Sequence, residues 1–150
     1  MTCKLTIMRL ALLCLTIFVG LITCKKENLD VESFSQCNKA QNLDSSAITA
    51  KLIGSWTWAT QSCFWANKSK SAYRNTKVIF KSNHTFSVNK SSNTLSQGTW
   101  KVRRVGGNSW GLDLSSPSEL LYGRILFCDN QVLFYNSDLD GCDNLFNKRN

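Results

Sequence analysis

From Ser55 onward, apolar and polar residues alternate in short runs, and this period of two restricts the fold more than any other feature of the chain. In Ser55–Thr60 the alternation places Trp56 and Trp58 on one face of a strand, because successive side chains of a strand point to opposite faces. Seven further runs have the same character: Thr76–Lys81, Thr85–Asn89, Gly98–Arg103, Trp110–Ser115, Leu121–Phe127, Gln131–Asn136 and Cys142–Lys148. The sequence therefore predicts eight β-strands.

Turn residues separate most of these strands. Asp129-Asn130 is a two-residue hairpin link, and Asp140-Gly141 favours the positive φ of a hairpin turn. Short links without a crossover helix predict an antiparallel meander, and closing it into an eight-stranded up-and-down barrel removes the exposed edges. Such a barrel holds either packed side chains or one small ligand. A sandwich of two four-stranded sheets is the alternative. Before the strands, Asp44 can cap a short helix that runs through Lys51 and ends at Gly54.

The start of the 150-residue chain has the pattern of an export signal. Lys4 and Arg9 precede a run of 14 mostly apolar residues, 10–23, which is shorter than the ~20 that a membrane-spanning helix needs. The junction of this run with Cys24 resembles the lipobox of bacterial lipoprotein signals. The resemblance implies cleavage before Cys24 and attachment of lipid to its thiol. An uncleaved anchor, or a secretory signal with an incidental cysteine, is the alternative.

The polar run that follows Cys24 begins Lys25-Lys26-Glu27 and resembles the start of lipoproteins from the Bacteroidota. This resemblance implies a cell-envelope protein on the outer membrane, at its periplasmic face or at the cell surface. We therefore divide the chain into a signal peptide at 1–23, a polar tether at 24–43 and a barrel domain at 44–150. Membrane attachment is expected through the lipid on Cys24.

The seven cysteines fit this division. Cys3 and Cys14 lie in the signal and Cys24 carries the lipid, so four remain: Cys37, Cys63, Cys128 and Cys142. An even number in an oxidising compartment predicts disulfides, with three connectivities open. We favour Cys63 with Cys142, which would join the first and last strands of a closed barrel. Zinc is the alternative, but no Cys-x-x-Cys occurs and there is a single histidine.

Charge and motifs argue against several function classes. The formal net charge of +8 falls to +6 without the signal, and the cations are scattered rather than clustered, so we expect no nucleic-acid partner. The sequence lacks Gly-x-Ser-x-Gly, a Gly-rich phosphate loop and His-Glu-x-x-His, so we expect no enzyme, no catalytic residues and no cofactor. Asn136, Asp138 and Asp140 have the spacing of the start of a calcium loop. However, Asn147 stands where that loop needs a glutamate, and we predict no metal.

Residues from Leu52 to Arg149 resemble the lipocalin-like domains of Bacteroidota lipoproteins. The matching motifs are Gly54-Ser55-Trp56, the hairpin Val78–Phe86, Gly98-Thr99-Trp100-Lys101-Val102 and the ending Asp140–Arg149. The resemblance implies a barrel that binds small apolar molecules. It also implies a basic residue of the last strand, Arg149 or else Lys148, packed on Trp56 in a structural role.

Eight aromatic residues are candidates to line a ligand pocket: Trp56, Trp58, Phe80, Phe86, Trp100, Trp110, Phe127 and Phe134. The alternative is that they fill the barrel and leave no pocket. The sequence thus favours a lipid-anchored, monomeric protein that binds a small apolar ligand. A different hypothesis is a protein-interaction or inhibitor module of the envelope that uses its loops, with Phe64-Trp65 beside Cys63 as an exposed apolar pair.

Overall fold

The structure is a computed structural model that describes residues 29–63 and 72–149. Two helices come first, α1 (Val31–Gln41) and α2 (Ser45–Leu52). The eight strands are β1 (Gly54–Cys63), β2 (Thr76–Phe80), β3 (Thr85–Lys90), β4 (Asn93–Gly106), β5 (Ser109–Leu114), β6 (Arg124–Cys128), β7 (Gln131–Tyr135) and β8 (Cys142–Arg149). A 3-10 helix, Ser137–Leu139, lies between β7 and β8. The predicted signal peptide, Cys24 and the Phe64-Trp65 pair lie outside the described residues.

The strands form one antiparallel sheet in the order β5-β4-β3-β2-β1-β8-β7-β6, which confirms the predicted up-and-down barrel. The first and last strands pair from Ser55 opposite Arg149 to Cys63 opposite Cys142, with a register shift between Trp58 and Thr60. Among the described strands, β5 and β6 lie next to each other without a hydrogen-bonded ladder. The barrel is therefore nearly closed, with one seam.

The core lies inside the barrel and is built from the inward positions of the alternating strands. Its largest side chains are buried, and two pairs of them contact each other edge to face. The ring centroids of Phe80 and Trp100 are 5.1 Å apart, and those of Phe134 and Phe146 are 5.8 Å apart. Such pairs add about 0.5–1.5 kcal/mol each beyond the burial of their area.

Helix α1 differs from the tether expected over 24–43, at least from Leu29 onward. Asp30 caps the helix by accepting a hydrogen bond from the Ser33 N–H at 3.2 Å, and Phe34 is 7% exposed. Phe34 packs on Leu133 and Leu145, which point outward from the barrel, and forms a second small core with them. The polar composition of α1 reflects a helix with one buried face rather than a free linker.

Two disulfides join distant parts of the chain. Cys63–Cys142 links β1 to β8 as the sequence analysis favoured, between residues that are direct partners in the ladder. Cys37–Cys128 attaches α1 to the end of β6. Helix α1 is thus held to the barrel covalently as well as by its apolar face.

Helix α2 follows its predicted bounds closely. Asp44 accepts a hydrogen bond from the Ala47 N–H at 2.8 Å, and this bond is the main reason that the pKa of Asp44 is lowered. Ile48 and Leu52 are buried against the barrel core. The carbonyl of Leu52 also accepts a 2.7 Å hydrogen bond from the Trp56 indole N–H, which fixes the helix on the first strand.

The basic residue on Trp56 is Lys148 rather than Arg149. Its Nζ lies 5.2 Å from the centroid of the Trp56 ring and donates to the Lys51 carbonyl at 3.0 Å. Lys148 is directly opposite Trp56 in the ladder, whereas Arg149 is opposite Ser55 and faces the other side of the sheet. The choice of Arg149 was therefore wrong. Arg149 is next to Lys148 in the sequence, and successive side chains of a strand point to opposite faces of the sheet.

Candidate ligand-binding cleft at the barrel seam

Seven of the eight aromatic residues predicted to line a pocket are buried side chains of the core. Their exposed fractions are between 1% and 8%, and they belong to a single contact cluster: Trp56, Trp58, Phe80, Phe86, Trp100, Phe127 and Phe134. Trp110 is half-buried and lines a small cleft of about 230 Å³ together with Asn38 and Ile125. The structure brings the predicted residues together, but as packing that fills the interior.

The seam between β5 and β6 is held by a close approach of two glycines. A Cβ atom on Gly111 would lie 2.9 Å from the Gly123 carbonyl oxygen, and one on Gly123 would lie 2.1 Å from the Tyr135 carbonyl oxygen. Gly123 also has a φ of +100°, which L side chains rarely adopt. Only glycine at 111 lets β5 approach the Gly123 backbone this closely, and only glycine at 123 lets that backbone pass the end of β7.

Side chains occupy the hydrogen-bonding groups at the two edges of the seam. On β6, the Phe127 N–H donates to Asn38 Oδ1 at 2.8 Å, and the Phe127 carbonyl accepts from Gln41 Nε2 at 2.9 Å. On β5, the Leu112 carbonyl accepts a 3.3 Å bond from Arg103 Nε. Helix α1 therefore covers the edge of β6 as a neighbouring strand would, which blocks edge-to-edge association.

A cleft lies beside the seam and is lined by residues of β4, β5 and the start of β6. Its volume is about 670 Å³, within the range of small-molecule sites. Its lining combines apolar side chains of β4, β5 and the segments after them with charged residues: Arg103, Val105, Leu112, Asp113, Leu114, Pro117, Tyr122, Arg124, Tyr135, Asp138 and Leu139. Tyr122 and Leu139 are 47% and 78% exposed, so this one cleft holds two of the three large exposed apolar side chains found in residues 29–63 and 72–149.

One wall of the cleft is the loop 115–123, which the core holds in place. Leu120 and Leu121 of this loop are 2% and 1% exposed. Tyr73 is hydrogen-bonded to Glu119 of the same loop. The pKa of Tyr73 is raised, mainly by burial and further by the negative charge of Glu119. The loop is thus fixed both by apolar contacts and by a polar contact, and the wall that it forms is preorganised.

The opposite wall is organised around Asp138. Its carboxylate pairs with the Arg124 guanidinium and accepts a 2.5 Å hydrogen bond from the Tyr135 hydroxyl. The Arg124 guanidinium also lies 4.9 Å from the centroid of the Tyr135 ring. Both carboxylate oxygens of Asp138 are therefore engaged by neighbouring side chains.

The rest of the loop between β7 and β8 is closed by Asp143, a side chain that the sequence analysis did not single out for a role. Asp143 is 2% exposed and accepts hydrogen bonds from the N–H groups of Asn136 and Ser137 at 2.8 and 2.9 Å. Gly141 is needed here for close contact, because a Cβ atom would lie within bonding distance of the Asn136 side chain. The positive φ falls on Asp140, at +57°.

Some of the charged side chains that line the cleft form ion pairs, and others do not. Asp113 forms an exposed ion pair with Lys101 at 3.1 Å, and Asp138 pairs with Arg124. In the part of the chain that the structure describes, Arg103 forms no ion pair. Arg103 and Arg104 are adjacent in the sequence, which does not distinguish their roles. In the structure, the Arg104 guanidinium lies 5.0 Å from the centroid of the Trp110 ring, whereas Arg103 lines the cleft.

No metal centre follows from the cysteines. Within residues 29–63 and 72–149, the one cluster of ligand-type side chains is Cys37, Cys128 and Asp129. Both sulfurs of that cluster are bonded to each other, so neither is a free thiolate ligand.

Across the same residues, no helix is long and apolar enough to cross a membrane. Comparison of the chain with protein-family models, with curated proteins and with solved structures found no match. Function is therefore inferred from the geometry of the barrel and its seam.

Proposed function

We propose that this chain is a lipid-anchored, non-enzymatic binding protein of the bacterial cell envelope that holds a small apolar ligand in the seam cleft. The observation that carries the proposal is the contrast between a packed interior and an external cleft of about 670 Å³ whose lining combines apolar side chains with a few charged ones. The lipocalin-like motifs support a ligand-binding barrel. In this proposal the ligand lies in the seam cleft rather than among the aromatic side chains of the interior.

The anchor in this proposal is Cys24, supported by the lipobox-like junction in the sequence. Helix α1 shortens the linker between such an anchor and the folded domain. Because α1 is bonded to the barrel and begins at Val31, only residues 25–30 separate the lipidated cysteine from the folded domain. Six residues span at most about 20 Å, so the barrel lies close to the membrane surface rather than on a long tether.

The proposal is tested with a neutral apolar dye, N-phenyl-1-naphthylamine, whose fluorescence rises in apolar surroundings. The full chain is placed in phosphatidylcholine nanodiscs, and the signal of empty nanodiscs is subtracted. We expect saturable binding that Val105→Trp reduces at least tenfold, because Val105 lines the cleft and a larger side chain fills it. Gln97→Trp is the matched control, an exposed position on the same strand and outside the cleft.

Dye binding that Val105→Trp leaves unchanged places the site elsewhere and contradicts the proposal. Absence of saturable binding by the unmodified chain also contradicts it. Thermal melting of both variants checks that the barrel is intact.

A second candidate function is recognition of another envelope protein, which the exposed side chain of Leu139 favours. Leu139 is 78% exposed on the short helix between β7 and β8 and borders the cleft. Exposed apolar residues that gather at one place mark interaction surfaces. If a protein partner is the ligand, cross-linking in intact envelopes gives a defined adduct that Leu139→Ser abolishes, while dye binding in nanodiscs is absent.

A further inference from the structure

One charge at the cleft has no counter-charge among the described residues, and it sits against apolar side chains. Arg103 lines the cleft beside Leu112 and Val105 and forms no ion pair there. We propose that the ligand is an amphipathic anion, an alkyl chain with one terminal acidic group, and that Arg103 binds the acidic group. This inference rests on the proposed function and names the chemistry of its ligand.

The other arginine of the cleft is already occupied. Arg124 is paired with Asp138, and its guanidinium lies on the ring of Tyr135. A ligand anion would have to displace Asp138 to reach it. The other carboxylate of the lining, Asp113, is paired with Lys101 at 3.1 Å. The two acids of the lining are thus matched by Arg124 and Lys101, and the cleft retains the positive charge of Arg103.

Arg103 is also positioned by the strand. Its Nε donates to the Leu112 carbonyl of β5 at 3.3 Å, and among the described residues the two terminal nitrogens have no hydrogen bond or ion pair. A planar guanidinium recognises a carboxylate or phosphate through two parallel hydrogen bonds. The alkyl chain of such a ligand would lie on Leu114 and Tyr122, so that head and tail are bound by different parts of one cleft.

The next residue provides a matched control. Arg104 lies on the opposite face of β4 and stacks on Trp110. Substituting either arginine removes the same charge from the same strand. A difference between the two variants therefore reports the position of the charge rather than the net charge of the protein.

The test uses two photoaffinity probes that carry a diazirine near the end of a ten-carbon chain, one a carboxylic acid and one the corresponding alcohol. The full chain in phosphatidylcholine nanodiscs is irradiated with each probe, and the labelled peptides are mapped by mass spectrometry. We expect saturable labelling of the peptide that contains Tyr122, with the acid binding about tenfold more tightly than the alcohol. Arg103→Gln removes this preference, whereas Arg103→Lys retains part of it and Arg104→Gln leaves it unchanged.

The outcomes separate this inference from the proposed function. Equal labelling of the cleft by acid and alcohol overturns the inference and leaves the proposed function standing. A preference for the acid that survives Arg103→Gln also overturns the assignment of Arg103. Labelling confined to peptides of the interior, or no saturable labelling, overturns both.

Discussion

Replacing Cys37 and Cys128 by serine removes the bond that holds α1 against β6, and its effect on stability can be estimated from the chain. The bond joins residues 91 positions apart. The two disulfides interleave in the sequence, however, so Cys63–Cys142 already restricts the unfolded chain. With that bond intact, the loop runs from Cys37 to Cys63 and back from Cys142 to Cys128, about 40 residues. Loop-closure entropy for this length is about 4 kcal/mol.

The entropy estimate is the same for the other disulfide, which gives a matched control. Removing Cys63–Cys142 while Cys37–Cys128 remains opens the same loop of about 40 residues. Urea unfolding of the full chain, followed by tryptophan fluorescence, measures the free energy of unfolding of both double-serine variants. We expect each to lose about 3–4 kcal/mol.

Hydrogen exchange distinguishes the two variants further. Only the loss of Cys37–Cys128 is expected to speed exchange of the Phe127 amide, because the Asn38 side chain that accepts its hydrogen bond lies on α1. A loss below about 1 kcal/mol for Cys37→Ser with Cys128→Ser, beside the full loss for the other pair, would refute the reasoning. It would mean that α1 does not unfold together with the barrel.

Three other substitutions test particular contacts. Asn144 is fully buried and accepts from the Trp58 indole N–H at 3.3 Å, so Asn144→Ala leaves that donor unpaired and lowers the free energy of unfolding in urea by about 1–3 kcal/mol. Gly123→Ala forces a side chain into a positive φ against a neighbouring carbonyl and is expected to cost about 3 kcal/mol in the same assay. The pKa of Asp44 is lowered from 3.8, chiefly by the Ala47 N–H, so its folded pKa lies below its unfolded pKa. Its contribution to stability is therefore present above pH 3.8 and lost as the pH falls through the folded pKa. Melting curves of Asp44→Ala and the unmodified chain should differ at pH 7 and converge in that acidic range.

Alternation along the strands was sufficient to predict the barrel. All eight runs become strands, and the residues expected to share the face of Trp56 are inside. The same alternation explains the mistaken choice of Arg149. Lys148 is the ladder partner of Trp56 and lies on the same face of the sheet, whereas Arg149 is the partner of Ser55. A pattern with a period of two gives the face of a residue reliably once the register is known. The register itself depends on the bulge after Trp58, which the sequence does not mark.

Helix α1 and the seam could not be predicted in this way. The apolar face of α1 consists largely of Phe34 in an otherwise polar segment, too little to stand out as a helical pattern. The seam depends on Gly111 and Gly123, which are distant in sequence and whose role is the absence of a Cβ atom. The cleft residues, including Arg103, come together only in the folded barrel, where β4, β5, the loop 115–123 and the turn after β7 meet, and local pattern carries no information on that contact.

The pairing of β1 with β8 determines when the protein can fold. The strand nearest the start of the barrel has its longest ladder with the last strand of the chain, and both disulfides need a cysteine at or beyond position 128. A chain that becomes free to fold from its start onward can form the hairpins of β2 to β5 early, because their contacts are local. It cannot close the barrel or gain either covalent bond until the residues from Cys128 to the last strand are also free to fold. Release of the last strand, rather than of any earlier segment, is therefore the step that commits the protein to its native state.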